Sequence, residues 1–432
     1  MFETIKNAFA TKEIRVKIFL TLLLLLVYRL GCYIPIPGLN STAIAESVQG
    51  NDFLSILSMI TGGSLSNGTI FALGILPFIN AFIIMQLLTL VIPALERLSK
   101  EGDDGRKKLT QITRYFALIL AAVQGVGIVL SWKNNAGGSL IEPTFGSEEL
   151  TMAFIIAILM AGSTMVMWLG ERITEYGIGN GTSLIIFVGI LSSAGTVFLT
   201  AFKSLGQTPE NIWRIIGMLL MIILIFVFIV FFDLAERRVQ VQYAKQIKGN
   251  KVYGGQTQHI PIKVNSSGVM PIIFATSFLM FPQLIMQLFW PTSEAYYWYA
   301  QNMGTGSVVY YVLLPLFILF FAYFYAQIQF NPDDVAKNIQ QYGGTIPGIR
   351  QGKPTADYLR KINNRITLFG AIFLAIIALI PTFIFKAISG PGVDFSNSFS
   401  ATGLLIVVSV ALEFNKQLES QIMMRHYKGF LQ

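Results

Sequence analysis

Ten apolar stretches, each close to the length of a membrane span, constrain this 432-residue chain more than any other feature. They lie near 17–34, 70–92, 112–132, 151–169, 182–202, 212–232, 269–290, 308–329, 366–386 and 399–413. A hydrocarbon core about 30 Å thick takes about 20 apolar residues in a helix. Inside lipid only helices and closed barrels satisfy their own backbone polar groups. The stretches are continuously apolar, whereas barrel strands alternate and face a polar lumen, so a barrel is excluded. Charged residues make up 12% of the chain and hydrophobic ones 53%, against roughly 25% charged in soluble domains. With a single Cys as well, a disordered chain, a disulfide scaffold and an ordinary soluble enzyme are ruled out. An all-α polytopic membrane protein remains. The first stretch has no small-residue cleavage site behind it and reads as a retained helix.

Charge sets the expected orientation. The net charge is +8 with 31 Lys and Arg. With the N-terminus inside, Lys133, Lys203, Arg214 and Lys386 alone fall on outer segments, Arg29 lies within the first span, and every other Lys and Arg falls on an inner segment. That is a strong positive-inside asymmetry, and one span more or fewer scrambles it. Both termini are therefore expected in the cytoplasm. Two inner loops, near 233–268 and 330–365, are long and basic. The first carries a strand-like run, Val239 to Tyr243, and a Gly-rich turn at Gly249 or at Gly254-Gly255, the pattern of a projecting hairpin. A docking surface and a solvated, lipid-facing basic loop both fit it.

On an outer loop, Phe53-Leu-Ser-Ile-Leu-Ser-Met-Ile60 is apolar but too short to span, and Gly62-Gly63 follows it. That length suits a re-entrant segment or a surface helix. The chain also repeats itself. Gly74-Ile-Leu-Pro77 matches Gly268-Val-Met-Pro271, which sets Ile79 opposite Ile273. Thr182-Ser-Leu-Ile-Ile186 matches Thr402-Gly-Leu-Leu-Ile406, which sets Ile186 opposite Ile406. Spans two and seven, and five and ten, are then equivalent, with five spans in each half: residues 1–205 and 206–432. An odd-numbered half is followed by one of opposite orientation, so the repeats are inverted, a plan common among transport proteins.

Ionisable residues inside spans usually mark ion paths, and here they are nearly missing. Arg29 lies toward the outer end of the first span, and Asp233 and Glu413 sit at inner ends. This argues against an ion-coupled carrier. His259 and His426 fall in cytoplasmic segments and Cys32 alone makes no metal site. The spans offer no Ser–His pair, paired Asp or ligand set for an enzyme. Gly177-Ile-Gly-Asn-Gly181 has phosphate-loop spacing, but no strand precedes it and no G-x-x-x-x-G-K-[ST] occurs. The chain therefore reads as a non-enzyme without cofactor, driven by a partner. An isolated Ile in a span is ordinary core packing. Four that are related by an inverted repeat meet near mid-membrane, where an apolar ring closes a pore by dewetting. Such a ring suits a large, chemically varied passenger. The alternative, a secondary transporter of a small solute, shares the repeats but needs a polar midplane site.

Several motifs together resemble one family. They are Pro35-Ile-Pro-Gly38, Ile70-Phe-Ala-Leu-Gly-Ile75, Lys100-Glu-Gly through Gly105-Arg-Lys, Trp168-Leu-Gly-Glu-Arg-Ile-Thr174, Gly177-Ile-Gly-Asn-Gly181, Tyr243-Ala-Lys245 and Pro347-Gly-Ile-Arg350. The chain resembles the SecY family, the channel-forming subunits of the bacterial protein translocase, over essentially all ten spans. The resemblance implies an hourglass pore between two five-helix halves. It puts a constricting ring at Ile75, Ile79, Thr182, Ile186, Ile273 and Ile406, where Thr182 departs from the usual apolar side chain. It puts a plug helix at Phe53, Leu54, Ile56, Leu57, Met59 and Ile60. It implies a lateral gate with Asn80, Gln124 and Phe281, and docking positions at Arg238, Lys245 and Arg350. Implied partners are SecE and SecG as small membrane subunits, the SecA motor, the ribosome, signal sequences and lipid. The implied location is the bacterial cytoplasmic membrane.

Overall fold

The structure is a computed structural model, and it describes residues 9, 11–49, 52–133, 140–144, 146–204, 211–243, 246–248, 251–253, 257–265, 268–290, 293–304, 307–388 and 401–429. Helix α1 spans Lys12–Gly31, followed by the short helices α2, Ser41–Gln49, and α3, Asp52–Ile60. Next come α4, Leu76–Val91, and α5, Pro93–Lys100. Four long helices follow: α6, Asp103–Lys133; α7, Glu148–Tyr176; α8, Gly181–Ser204; and α9, Asn211–Asp233. Strands β1, Glu236–Tyr243, β2, Gln246–Lys248, β3, Lys251–Tyr253, and β4, Thr257–Lys263, come next. Then α10, Met270–Phe289, α11, Glu294–Met303, α12, Val308–Gln329, and α13, Pro332–Gln341, lead to β5, Gly344–Thr345. The chain closes with α14, Lys353–Ile388, and α15, Ala401–Gly429.

Each expected stretch coincides with a helix, with two adjustments. The second begins at Leu76, since residues 70–75 form turns; the ninth sits inside the longer α14, and the described part of the tenth, from Ala401, opens the longer α15. Five described helices are long and apolar enough to cross a membrane, or six if α4 and α5, bent by 102°, count as one span. Pro93 causes that bend, because it lacks an N–H and its ring clashes with the carbonyl four residues back. Helix α9 is apolar on every side, as a span must be. Ile215, Met218, Ile225 and Ile229 are buried, while Trp213, Leu220, Ile223, Val227 and Phe231 face outward.

The helices α4 and α10 begin alike. Gly74 and Gly268 both take left-handed conformations, at φ 55° and 60°, which cost glycine little. Pro77 and Pro271 then sit in the first two helical positions, where a missing N–H is harmless. The pairings are also alike in the two parts of the chain. Helix α1 packs on α7 and α8, as α9 packs on α14 and α15; α4 packs on α6 as α10 packs on α12; α6 packs on α7 as α12 packs on α14. Two main seams join these sets, α6 against α10 and α8 against α15.

The expected hairpin is present. β1 pairs antiparallel with β4, from Glu236 opposite Lys263 to Gln242 opposite Thr257, and β2 pairs with β3. Both candidate turns, Gly249 and Gly254-Gly255, lie outside the described residues. From the second long loop, β5 adds to the free edge of β1. Val239, Val241, Ile262, Ile339, Ile346 and Leu359 form a separate small core beneath this sheet.

Candidate functional site: ring, plug, gate and docking loops

All six ring positions fall in the opening turns of four helices. Ile75 is the N-cap of α4 and Ile79 follows one turn later. Thr182 and Ile186 start α8, Ile273 starts α10, and Ile406 lies in the second turn of α15. Ile75, Ile79, Ile186 and Ile406 are buried in one apolar cluster, with Ile273 packed against it. A cavity of about 390 Å³ is lined by Ile79, Thr182, Ile186 and Ile273, with Phe78, Phe82 and Phe274. A neighbouring cavity of about 350 Å³ is lined by Ile186, Ile273 and Ile406. Ile186 and Ile273 thus belong to the wall common to both. The Thr182 hydroxyl donates to Asn180 Oδ1 at 2.6 Å, and the Thr182 N–H donates to the same oxygen at 3.1 Å. Its polar atom is thereby taken up by the cap of α8.

Away from the ring, the second cavity is polar. Asp233, Lys263, Asn265, Glu413 and Lys416 line it. Lys416 Nζ lies 3.8 Å from Asp233 Oδ2, and Asn265 Nδ2 donates to Asp233 Oδ1 at 2.9 Å. Burial, and then the neighbouring Lys416 ammonium, lower the Lys263 pKa. This end of the second cavity therefore carries its charged groups.

The plug sequence forms α3. Leu54, Leu57 and Met59 are buried and Ile60 is half-buried; the side chains of Phe53 and Ile56 lie outside the described ones. Helix α3 packs on α8. Met59 also reaches α15, since a Cβ on Gly403 would meet Met59 Cε at 3.3 Å. The gate positions come together as well. Asn80 of α4 and Gln124 of α6 line a cavity of about 20 Å³ with Ser277 of α10 and Leu57 of α3. That is room for about one water, and Gln124 Nε2 is buried there without a hydrogen-bond partner among the described residues. Phe281 packs against Ala81, Ala117, Leu120 and Met167.

Of the docking positions, Arg238 stands exposed on β1, 2.8 Å from Glu236 Oε1. Arg350 is exposed in the turn before α14, and its carbonyl accepts from the Thr355 hydroxyl at 2.8 Å. Lys245 lies outside the described residues. Since β5 joins β1, the loops bearing Arg238 and Arg350 form one surface. Sequence reasoning missed Ser277 and the Asp233–Asn265–Lys416 set. Each is joined to its partners by packing between elements distant in the sequence, and no local spacing announces it.

Fold and site define an integral membrane protein of apolar helices, in which isoleucines from four helices line two adjoining cavities. A SecY family profile matches residues 69–415. Over the full length of both chains, this one is 43% identical to the protein translocase subunit SecY of Streptomyces coelicolor and 41% identical to that of Bacillus subtilis. The chain belongs to the SecY family. Among solved structures, a protein conducting channel matches with TM-score 0.66 at 20% identity, covering 94% of this chain and 91% of that one. Sec61 in a canine ribosome–channel complex matches with TM-score 0.62 at 19% identity and the same coverage. These two likenesses carry the fold.

Proposed function

We propose that this chain is the protein-conducting channel of the general secretory pathway in a bacterial cytoplasmic membrane. Ten helices, α1, α4, α6 to α10, α12, α14 and α15, form two inverted five-helix halves, residues 1–205 and 206–432, with both termini in the cytoplasm. The pore runs between the halves. Ile75, Ile79, Thr182, Ile186, Ile273 and Ile406 constrict it, and α3 plugs it from the outer side. The observation that carries this reading is the convergence of Ile79, Ile186, Ile273 and Ile406, from four helices, onto the walls of two adjoining cavities. The repeated pairings of the helices support the two halves.

The mechanism follows from these parts. A signal sequence is an apolar helix of less than full span length. It enters between α4 and α10, with α6 alongside, where Asn80, Gln124 and Ser277 line one small cavity. Polar contacts between helices in membranes average about 0.6 kcal/mol, less than the burial of one large apolar side chain. The plug then shifts and the unfolded chain threads the ring, whose apolar walls offer it no strong binding site. Apolar segments leave sideways into lipid. Force comes from SecA or a ribosome on the surface bearing Arg238, Lys245 and Arg350, and SecE and SecG complete the complex. The secondary-transporter reading has no support among the curated relatives named above, which are translocase subunits.

Reconstituted vesicles test this. With its small subunits, motor and ATP, the chain is expected to import a secretory precursor. Import with ATP but no motor or ribosome would contradict the passive channel, and so would saturable uptake of a small solute.

A further inference from the structure

The expected topology leaves Arg29 within the first span, toward its outer end, and the mechanism above leaves it without a task. A charged side chain there is costly unless it is held. Among the described residues, Arg29 is held by oxygens and a ring. Nη1 donates to the carbonyl of Gly62 at 3.2 Å, and Nη2 donates to Tyr33 Oη at 3.2 Å and to Ser192 Oγ. Its guanidinium also lies 5.4 Å from the centre of the Tyr33 ring.

Gly62 is where the plug helix ends. The Gly63 N–H donates to Ser58 O at 2.8 Å and the Gly62 N–H to Met59 O at 3.2 Å, with Gly62 at φ 68°. This pair of bonds, with glycine in the left-handed position, is a Schellman stop. It leaves outward carbonyls at the negative end of the helix. Among the described residues, Arg29 takes Gly62 O and Tyr28 Oη donates to Thr61 O at 3.4 Å, while Ser193 Oγ adds a second donor to Met59 O at 3.2 Å. The backbone fits closely as well: a Cβ on Gly189 of α8 would stand 2.7 Å from Ile60 O.

We propose that Arg29 is the positioning residue of the plug: with Tyr28 and Ser193 it latches the C-terminal turn of α3 to α1 and α8, and so sets the resting seal. This rests on the channel reading and assigns the latch within it. Every donor comes from α1 or α8, whereas Ile273 and Ile406 ride on α10 and α15. Parting either main seam leaves the latch whole, so plug release is a separate step that must break it.

The test uses the complete complex with its small subunits. Resting ion conductance is read in planar bilayers without precursor. In parallel, labelling of a Leu57→Cys plug by an impermeant maleimide is read from the outer side. The buried Cys32 of the chain without that substitution gives the background. Arg29→Gln is expected to raise both by about tenfold or more, the worth of one hydrogen bond to a charged group. Arg29→Lys, which keeps a charged donor, should restore most of the protection. Should Arg29→Gln fail to assemble, Tyr28→Phe with Ser193→Ala removes two donors without touching the charge and should shift both readings the same way. Unchanged conductance and labelling in whichever of these variants assembles would overturn the latch. Motor-driven import by the unaltered complex is measured alongside. Its absence overturns the channel reading, while intact import with an unchanged leak overturns the latch alone.

Discussion

Thr182 shows how a single side chain is read correctly only with its neighbour. A hydroxyl in an apolar ring invites water, but this one is bonded to Asn180 at 2.6 Å. Replacing it by the isosteric valine should leave resting ion conductance unchanged. It should lower thermal stability by the loss of one side-chain hydrogen bond, about 1 kcal/mol, seen as a reduced Tm of the purified complex. A rise in conductance would show that the hydroxyl itself matters to the seal. The opposite outcome belongs to Ile79→Gly with Ile273→Gly. Stripping apolar side chains from a dewetted constriction lets ions through, so planar bilayers should record a resting leak. Normal resistance would remove both residues from the seal. The pairs Ile79/Ile273 and Ile186/Ile406 were legible because the sequence repeats around them. Ile75 and Thr182 came only with the family resemblance. Ser193 and its carbonyl partner were not legible, because 134 residues separate them and only the packing of α3 on α8 joins them.

At the level of elements, local chemistry was the better guide. Alternation from Val239 to Tyr243 announced β1, and the structure pairs it with β4. The third strand was hidden: Gly344–Thr345 is two residues long and is a strand only because β1 offers it an edge. The start of α4 was misplaced for a related reason. Residues 70–75 are apolar like the helix after them, but Gly74 at φ 55° breaks the run. Val241 is fully buried in the loop core. Val241→Asp puts an unpaired carboxylate there, at a cost of several kcal/mol, and should collapse the docking sheet. Motor-driven import should fall away while resting conductance stays as it was, because the sheet has its own core. Arg350→Glu should abolish import with the sheet intact. Import that survives both changes would remove this surface from motor coupling.

The whole molecule is governed by where charge is tolerated. The basic excess sorts to one side by the expected topology, and the spans are left to apolar packing that repeats between two sets of helices. Those sets meet at α6 against α10 and α8 against α15, and an apolar segment can escape to lipid only where a seam parts. Gln124 and Ser277 line the same small cavity at the first seam. A short thiol-to-thiol bridge between Gln124→Cys and Ser277→Cys should block insertion of membrane-protein helices, and reduction of a cleavable bridge should restore it. Insertion that proceeds with the bridge in place would move the gate elsewhere. The most direct test of the proposed conduit is site-specific photo-cross-linking of a stalled, half-imported precursor to positions 79, 186, 273 and 406, with the lipid-facing position 220 as reference. A chain in the pore must touch all four and spare Leu220. Contact at position 220 with none at the four would place the passenger outside the pore and contradict the channel.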